Sequence, residues 1–155
     1  MAKGELFRSK LASYFMGSLG AFPVSKGRLD RKALRRAMQV LADGMVLVIF
    51  PEGMRSRGGR LRDAFPGAAL IALRSGVPII PIGITGTEKL NGLAWLWHRP
   101  EVTVNIGPPF SLLSASSKLT KVELSRLTGV IMEHIAELLP VEYRGHYGGG
   151  ETKWH

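Results

Sequence analysis

The apolar positions of this chain follow two patterns that alternate along the sequence. Continuous apolar runs at residues 45–50 and 77–84 are rich in valine and isoleucine, which is typical of buried strands. Residues 102–106 alternate between apolar and polar positions and predict a strand with one wetter face. Segments with helical spacing separate these runs. Strands and helices that alternate in this way predict an α/β fold, with a mixed, largely parallel sheet flanked by helices.

Several helices carry recognisable start and stop signals. One helix is predicted to follow Asp30, a favourable N-cap, and to end before Gly44, which suits the C′ position. Its basic residues lie mostly off the apolar face, so they indicate either an ordinary solvated face or a phosphate-facing one. Residues 68–74 are apolar nearly all round and predict a buried helix that ends at Gly76. The last helix begins with the capping-box pattern at residues 120–123.

Two other segments are open to a membrane interpretation and to an ordinary packing one. Residues 5–19 combine helical apolar spacing with basic residues, which indicates either a basic amphipathic helix on a membrane surface or a helix packed on the core. Residues 93–100 place Trp95 and Trp97 beside basic residues, a composition found in membrane-interface anchors and also in half-buried loops. Residues 20–24 predict a turn into a short strand, and their proline favours a strand end or edge.

Length and charge narrow the class of protein. The 155 residues suit one compact domain, predicted over residues 1–147 and followed by a flexible glycine-rich tail at 148–155. The chain has 21 basic and 12 acidic residues, and its net charge of +9 favours a negatively charged partner. The absence of cysteine excludes disulfides, thiolate zinc sites and a cysteine nucleophile. No apolar run approaches the roughly 18 residues that span a bilayer.

The charged loop at residues 50–60 stands out because it directly follows the apolar run 45–50. Pro51 and Glu52 end the predicted strand, and two glycine sites and three arginines follow at once. Glycine lets the backbone approach a ligand closely, and the rigid fork of arginine donors suits phosphate or carboxylate. Open α/β sheets bind ligands beyond their strand ends, where such a loop would lie. Residue chemistry alone leaves an anion-binding site and a solvated basic turn equally open.

The common catalytic signatures are absent from the sequence. It contains no G-x-G-x-x-G after a strand, no P-loop motif and no G-x-S-x-G nucleophile elbow. No metal site is predicted, because no cluster of metal-ligating residues is visible. Among the histidines, His134 is interpreted as a packing or solvent-facing residue, and His146 and His155 as parts of the tail.

Four sequence blocks together resemble those of the glycerolipid acyltransferases, most closely the 1-acyl-glycerol-3-phosphate acyltransferases. Residues 50–56, Phe-Pro-Glu-Gly-Met-Arg-Ser, are similar to the F-P-E-G-T-R-S block of that family. Residues 20–26 resemble its second block, residues 77–82 its fourth, and residues 139–145 its C-terminal ending. Because the blocks occur in the family's order and cover almost the whole chain, the chain is identified as a member.

The resemblance implies transfer of an acyl group from acyl-CoA or acyl-carrier protein to the free hydroxyl of lysophosphatidate, which gives phosphatidic acid. Glu52, Gly53, Arg55 and Ser56 would line the site for the acceptor's glycerol phosphate, with Lys26 nearby. No cofactor is expected beyond the acyl donor. The expected location is peripheral, at the cytoplasmic face of the membrane.

The resemblance also implies a catalytic His-x-x-x-x-Asp dyad, in which the histidine is the general base. No histidine of this chain has an aspartate five positions later, and the family carries the dyad upstream of the segment that residues 1–7 match. We therefore expect a glycerol-3-phosphate acyltransferase-like fold whose N-terminal part is missing, with no catalytic residue in this chain. Met54 replaces the family's threonine, and Lys26 replaces its arginine, which keeps the charge and loses the bidentate geometry.

Two functions remain open at this point. The chain is either part of a lysophosphatidate acyltransferase or a non-catalytic relative that binds anionic lipid head groups at the membrane surface. Glu52 would either hold the arginines or hydrogen-bond the acceptor hydroxyl. Nucleic acid is not expected as a partner, because only the net charge favours it. An incomplete sheet is expected to leave an unpaired edge and exposed apolar surface.

Overall fold

The described chain contains both helices and short strands, as the apolar pattern predicts, but successive described elements often share the same type instead of alternating. The computed structural model describes residues 2–3, 23–24, 31–54, 56, 58–89, 100–113 and 119–148. In chain order the strands and helices are β1 (Ala2–Lys3), β2 (Pro23–Val24), α1 (Arg31–Ala42), α2 (Gly67–Ser75), β3 (Ile82–Thr85), β4 (Thr103–Ile106) and α3 (Lys121–Glu137). Short 3-10 turns lie at Thr87–Lys89, Val141–Tyr143 and Gly145–Gly148. The helix predicted over residues 5–19 lies outside the described residues.

Helix α1 ends in a Schellman motif centred on Gly44. The Gly44 amide donates to the Leu41 carbonyl at 3.1 Å, and the Met45 amide donates to the Val40 carbonyl at 3.1 Å. Gly44 has a φ of 73°, the left-handed conformation that this motif requires. The predicted C′ position is thereby confirmed, and it fixes where the chain leaves α1 toward residues 45–50.

The hydrophobic core lies between α2 and α3. Helix α2 is buried, as its apolar composition predicts, and Leu34 of α1 packs against the same cluster. Phe110 also packs against this cluster. The buried members of the cluster are Ala69, Leu70, Leu124, Leu127 and Ile131. Because two of the three described helices meet here, the core fixes the scaffold that carries the loops.

Helix α3 begins at the predicted capping box. The Thr120 hydroxyl oxygen accepts a hydrogen bond from the Glu123 amide at 3.1 Å. Arg126 also donates two bonds to the Glu123 carboxylate, at 3.0 and 3.1 Å. A carboxylate in the first turn also interacts favourably with the positive end of the helix dipole. Within the described part of the chain, no helix combines the length and apolar character that crossing a bilayer requires.

Residues 45–50, predicted as a buried strand, lie outside the strands of the structure. Val46, Val48 and Phe50 are 88%, 59% and 65% exposed, whereas Leu47 and Ile49 between them are less exposed. An alternation with a period of two is that of an extended chain. The predicted extended backbone is thus present and the predicted burial is wrong, because a valine- and isoleucine-rich composition favours extended chain without fixing which side chains are covered.

The described strands pair in two ways. Strand β1 pairs with β2 in parallel, whereas β3 pairs with β4 in an antiparallel ladder that places Ile82 opposite Ile106 and Ile84 opposite Val104. The α/β class is as predicted. The longer described ladder is antiparallel, although the sequence favours a largely parallel sheet.

The β3–β4 ladder turns its small and polar residues toward the end of α3. A Cβ added at Gly83 would lie 2.9 Å from the Leu139 side chain. The Asn105 side-chain amide donates to the Leu138 carbonyl at 2.8 Å. Apolar side chains occupy the opposite side of the ladder and are exposed. The side chains of residues 102–106 alternate in direction as predicted, but all four residues of β4 are exposed, so the expected difference between a wetter and a drier face is absent from β4.

Candidate functional site

Glu52 hydrogen-bonds to two later positions of the segment 52–62, which contains most of the charged loop. Its Oε2 atom accepts a hydrogen bond from the Ser56 hydroxyl and a second one, at 3.2 Å, from the Arg62 backbone amide. Both Glu52 and Ser56 are partly buried. A carboxylate that accepts from two points of one loop restricts its conformations, so Glu52 has a clear role in shaping this loop.

The loop begins with a tight turn that needs glycine. The Gly53 amide donates to the Phe50 carbonyl at 3.1 Å, and Gly53 has a φ of 64°. A Cβ at this position would lie 2.9 Å from the Phe65 ring. The Phe65 amide in turn donates to the Pro51 carbonyl at 2.9 Å. The two ends of the loop are thus held together directly after the apolar run.

The structure brings together part of the site that the sequence predicts. Glu52, Gly53 and Ser56 are described, and Glu52 contacts Ser56 directly. The structure gives Glu52 a role beyond the two considered from the sequence, because its carboxylate accepts a hydrogen bond from the Arg62 backbone amide. The remaining predicted residues lie outside the described residues, and their roles stay predictions: Lys26, Arg55, Trp95 and Trp97.

Sequence reasoning missed the contact between this loop and the C-terminal segment, defined here as residues 139–148. The Leu61 amide donates to the Tyr143 carbonyl at 2.8 Å. At Gly145, where φ is 59°, an added Cβ would lie 2.3 Å from the Leu61 carbonyl oxygen. The two backbones touch here. The only sequence signal was the resemblance of residues 139–145 to the family's ending, which says nothing of what it contacts.

The side chain of Tyr143 extends the same contact. Its hydroxyl donates to Glu88 Oε1 at 2.8 Å, and its ring lies 3.0 Å from the position of a Cβ on Gly59. The pKa of Glu88 is lowered, first by a hydrogen bond from its own backbone amide and then by the Tyr143 hydroxyl. The pKa of Tyr143 is raised, chiefly because its hydroxyl proton is held by Glu88. Tyr143 therefore links the loop to the 3-10 turn at Thr87–Lys89.

The end of the C-terminal segment also lies close to Asp63, which directly follows the segment 52–62. His146 Nε2 is 3.4 Å from Asp63 Oδ1, although both side chains are largely exposed. Burial raises the pKa of Tyr147, and the carboxylates of Asp63 and Glu52 raise it further. The interpretation of His146 as part of a loose tail is wrong, because residues 145–148 form a 3-10 turn in contact with α3 and the loop.

The histidine and carboxylate side chains of the described residues meet in pairs, with no cluster of three or more that could hold a metal ion. The His134 ring stacks on Phe110 with a centroid distance of 3.8 Å, which agrees with the packing role predicted for it. Its Nδ1 atom is 3.9 Å from a Glu137 carboxylate oxygen. Across the described ranges, no group of three or more potential ligands could hold a metal ion.

The fold and the loop define an α/β protein with a glycine- and arginine-rich loop after an apolar run. Comparison with protein families identifies the class: residues 1–85, more than half of the chain, match the acyltransferase family model. The chain belongs to the acyltransferase family. The resemblance that the sequence blocks carry is confirmed.

Within this family, the chain is similar to proteins that are named 1-acyl-sn-glycerol-3-phosphate acyltransferases. The chain is 32% identical over 115 residues to the chloroplastic 1-acyl-sn-glycerol-3-phosphate acyltransferase BAT2 of Brassica napus, covering 70% of this chain and 33% of the relative. It is 34% identical over 113 residues to the 1-acyl-sn-glycerol-3-phosphate acyltransferase of Streptococcus pneumoniae, covering 72% and 40%. The chain thus spans about two fifths or less of these relatives.

A solved structure supports the fold. The crystal structure of the 1-acyl-sn-glycerophosphate (LPA) acyltransferase PlsC from Thermotoga maritima matches 99% of this chain with a TM-score of 0.59. The match covers 57% of that chain at 24% sequence identity. At this identity the likeness shows the fold, and the α/β acyltransferase architecture predicted from sequence is confirmed.

Proposed function

We propose that this chain forms the acceptor-binding part of an O-acyltransferase that makes phosphatidic acid for phospholipid synthesis. The acceptor is 1-acyl-glycerol 3-phosphate, and the donor is acyl-CoA or acyl-carrier protein. The observation that carries the proposal is the family match over residues 1–85, which includes the loop organised by Glu52. The names of the similar plant and bacterial proteins support the same acceptor.

The reaction is an acyl transfer between a thioester and an alcohol. The acceptor hydroxyl oxygen attacks the thioester carbonyl, a carbon–oxygen bond forms, and the carbon–sulfur bond breaks. The hydroxyl proton ends on the released thiol of CoA or carrier protein. Such a step needs a general base, which family resemblance assigns to a His-x-x-x-x-Asp dyad. This chain supplies the loop that would hold the acceptor phosphate.

The charge of the protein supports an anionic acceptor at a lipid surface. The net charge is +9, and each basic residue near an anionic bilayer contributes roughly 1 kcal/mol of attraction. The proposal therefore includes a peripheral location at the cytoplasmic face of the membrane. Arg55 is assigned to the acceptor phosphate because its planar fork can donate two parallel hydrogen bonds.

Acyl transfer tests the catalytic half of the proposal. Transfer from labelled acyl-CoA to lysophosphatidate is measured for this chain and for a longer chain that carries an upstream His-x-x-x-x-Asp segment. The general base is expected to make the longer chain about 10²- to 10⁴-fold faster. Equal rates would overturn the assignment of catalysis to that dyad.

Binding tests the acceptor half separately. Arg55→Lys keeps the charge and removes the bidentate geometry, so we expect it to weaken lysophosphatidate binding several-fold. Arg35→Lys, the same change on the exposed face of α1, is the matched control and should leave the affinity unchanged. Equal affinities for both variants would refute the role of Arg55. Binding without transfer by either chain would favour an anionic head-group binding protein instead.

A further inference from the structure

We propose that Tyr143 is a positioning residue for the acceptor loop, defined here as residues 52–62. It fastens this loop to the 3-10 turn at Thr87–Lys89, so that affinity for the acceptor phosphate depends on a side chain of the C-terminal segment. The proposal rests on the proposed function for the identity of the ligand. The fastening itself rests on contacts within the chain.

The main chain supplies the first contact. The Leu61 amide donates to the Tyr143 carbonyl at 2.8 Å, and the Gly145 backbone lies against the Leu61 carbonyl oxygen. Leu61 directly precedes Arg62, whose amide donates to Glu52. The C-terminal segment and the Glu52 carboxylate therefore contact adjacent residues of the loop, and a displacement of the segment would also move the amide that binds Glu52.

The side chain of Tyr143 supplies the second contact. Its hydroxyl donates to Glu88 Oε1 at 2.8 Å, and its ring covers Gly59 inside the loop. The Gly59 amide donates to the Ser56 carbonyl at 3.0 Å. Tyr143 thus lies against the same turn whose other end, Ser56, donates its hydroxyl to Glu52.

The loop is consequently held from two sides. Glu52 binds it from within, through Ser56 and the Arg62 amide. Tyr143 holds it from outside, through Leu61 and Gly59, and the Tyr143 hydroxyl anchors this contact by donating to Glu88. A loop that already has its bound geometry loses little conformational entropy when a ligand arrives. Loosening the outer contact should therefore weaken phosphate binding although no ligand contact is removed.

Tyr143→Phe tests this directly, because it retains the ring over Gly59 and removes only the hydroxyl. With glycerol 3-phosphate as the probe, we expect the Kd to rise about three- to tenfold, the range for loss of one hydrogen bond. The Arg62 amide should exchange with solvent faster than in the parent chain, as measured by hydrogen exchange. Glu88→Ala should reproduce both effects, and the double variant should show no further loss.

Two controls separate positioning from a general loss of stability. Glu88→Gln keeps an oxygen that accepts from the Tyr143 hydroxyl, and it should preserve the affinity. Asn105→Ala removes a side-chain hydrogen bond of 2.8 Å to Leu138 that does not involve the loop, and it should leave the Kd unchanged. An equal rise in Kd for Tyr143→Phe and Asn105→Ala would overturn the proposal.

The two readouts also separate this inference from the proposed function. Unchanged Kd and unchanged Arg62 exchange in Tyr143→Phe would overturn the positioning role while the acceptor assignment stands. If the parent chain does not bind glycerol 3-phosphate, the acceptor assignment fails. Faster Arg62 exchange in Tyr143→Phe would then still support the fastening of the loop by Tyr143.

Discussion

Gly145 lies where the C-terminal segment crosses the acceptor loop. Its φ is 59°, and an added Cβ would lie 2.3 Å from the Leu61 carbonyl oxygen. An alanine there would adopt a left-handed conformation that costs roughly 1–2 kcal/mol, and it would also push the two backbones apart. We expect Gly145→Ala to lower the free energy of unfolding by about 1–3 kcal/mol, as measured by urea denaturation.

Gly129 offers the matched control for this substitution. It lies within α3, and apart from its chain neighbours and the nearby backbone of its own helix, nothing lies within 4 Å of an added Cβ. Replacing glycine by alanine in a helix interior stabilises by about 0.5–1 kcal/mol, so Gly129→Ala should raise the free energy of unfolding. If both variants shifted stability in the same direction, the crossing at Leu61 would not be the cause.

The types of residue in the acceptor loop are evident from the sequence, but the hydrogen bonds within the loop could not be predicted from it. Glycine, arginine and a carboxylate after an apolar run are visible in the sequence, and their chemistry fits an anion site and a solvated basic turn equally well. Ser56 follows Glu52 closely, so their contact is local. The bond from the Arg62 amide depends on how the whole loop closes. The contact of Leu61 with Tyr143 is more distant still, and no local pattern encodes it.

At the scale of elements, the helix ends were the most predictable features. Gly44, Gly76 and Thr120 act on backbone groups within a few residues of themselves, so their roles follow from local sequence. Strands depend on partners elsewhere in the chain. Residues 45–50 have a suitable composition and form no strand in the structure, and the direction of the β3–β4 pairing was not encoded in either strand alone.

The link between the 3-10 turns Thr87–Lys89 and Val141–Tyr143 should make stability depend on pH. The pKa of Glu88 is lowered in the folded protein, so its contribution is present at neutral pH and is lost as pH falls below about 4. The pKa of Tyr143 is raised, so its contribution is complete below pH of about 10 and is lost as pH rises further. The link is thus weakest at both extremes.

Tyr143→Phe should flatten both limbs of the dependence. It removes the phenol, and it removes the hydroxyl that lowers the pKa of Glu88. The free energy of unfolding is measured by urea denaturation across the acid and alkaline limbs. Tyr147→Phe removes another phenol without touching the Glu88 contact, and it should leave the acid limb unchanged. An acid limb that is equally steep in all three proteins would contradict the role of the Glu88–Tyr143 bond.

At the scale of the whole molecule, the two sides of the β3–β4 ladder differ. One side faces the end of α3 through Gly83 and Asn105. The other side carries only branched apolar residues and is exposed: Ile82 42%, Ile84 42%, Val104 53% and Ile106 67%. Antiparallel strands can face water on one side, but that side is normally polar, and contiguous exposed apolar surface marks an interaction site or an aggregation hazard.

This exposed side should govern how the protein associates with itself. Ile106→Lys introduces a charge at its most exposed member, so it should reduce ANS binding and concentration-dependent association in sedimentation experiments without lowering the melting temperature. Val122→Lys makes the same type of change at another exposed position, in the first turn of α3, and serves as the control. Because Val122 does not belong to the ladder, its replacement should leave ANS binding and association unchanged. Equal reductions in both variants would mean that added net charge, rather than the apolar side of the ladder, controls association.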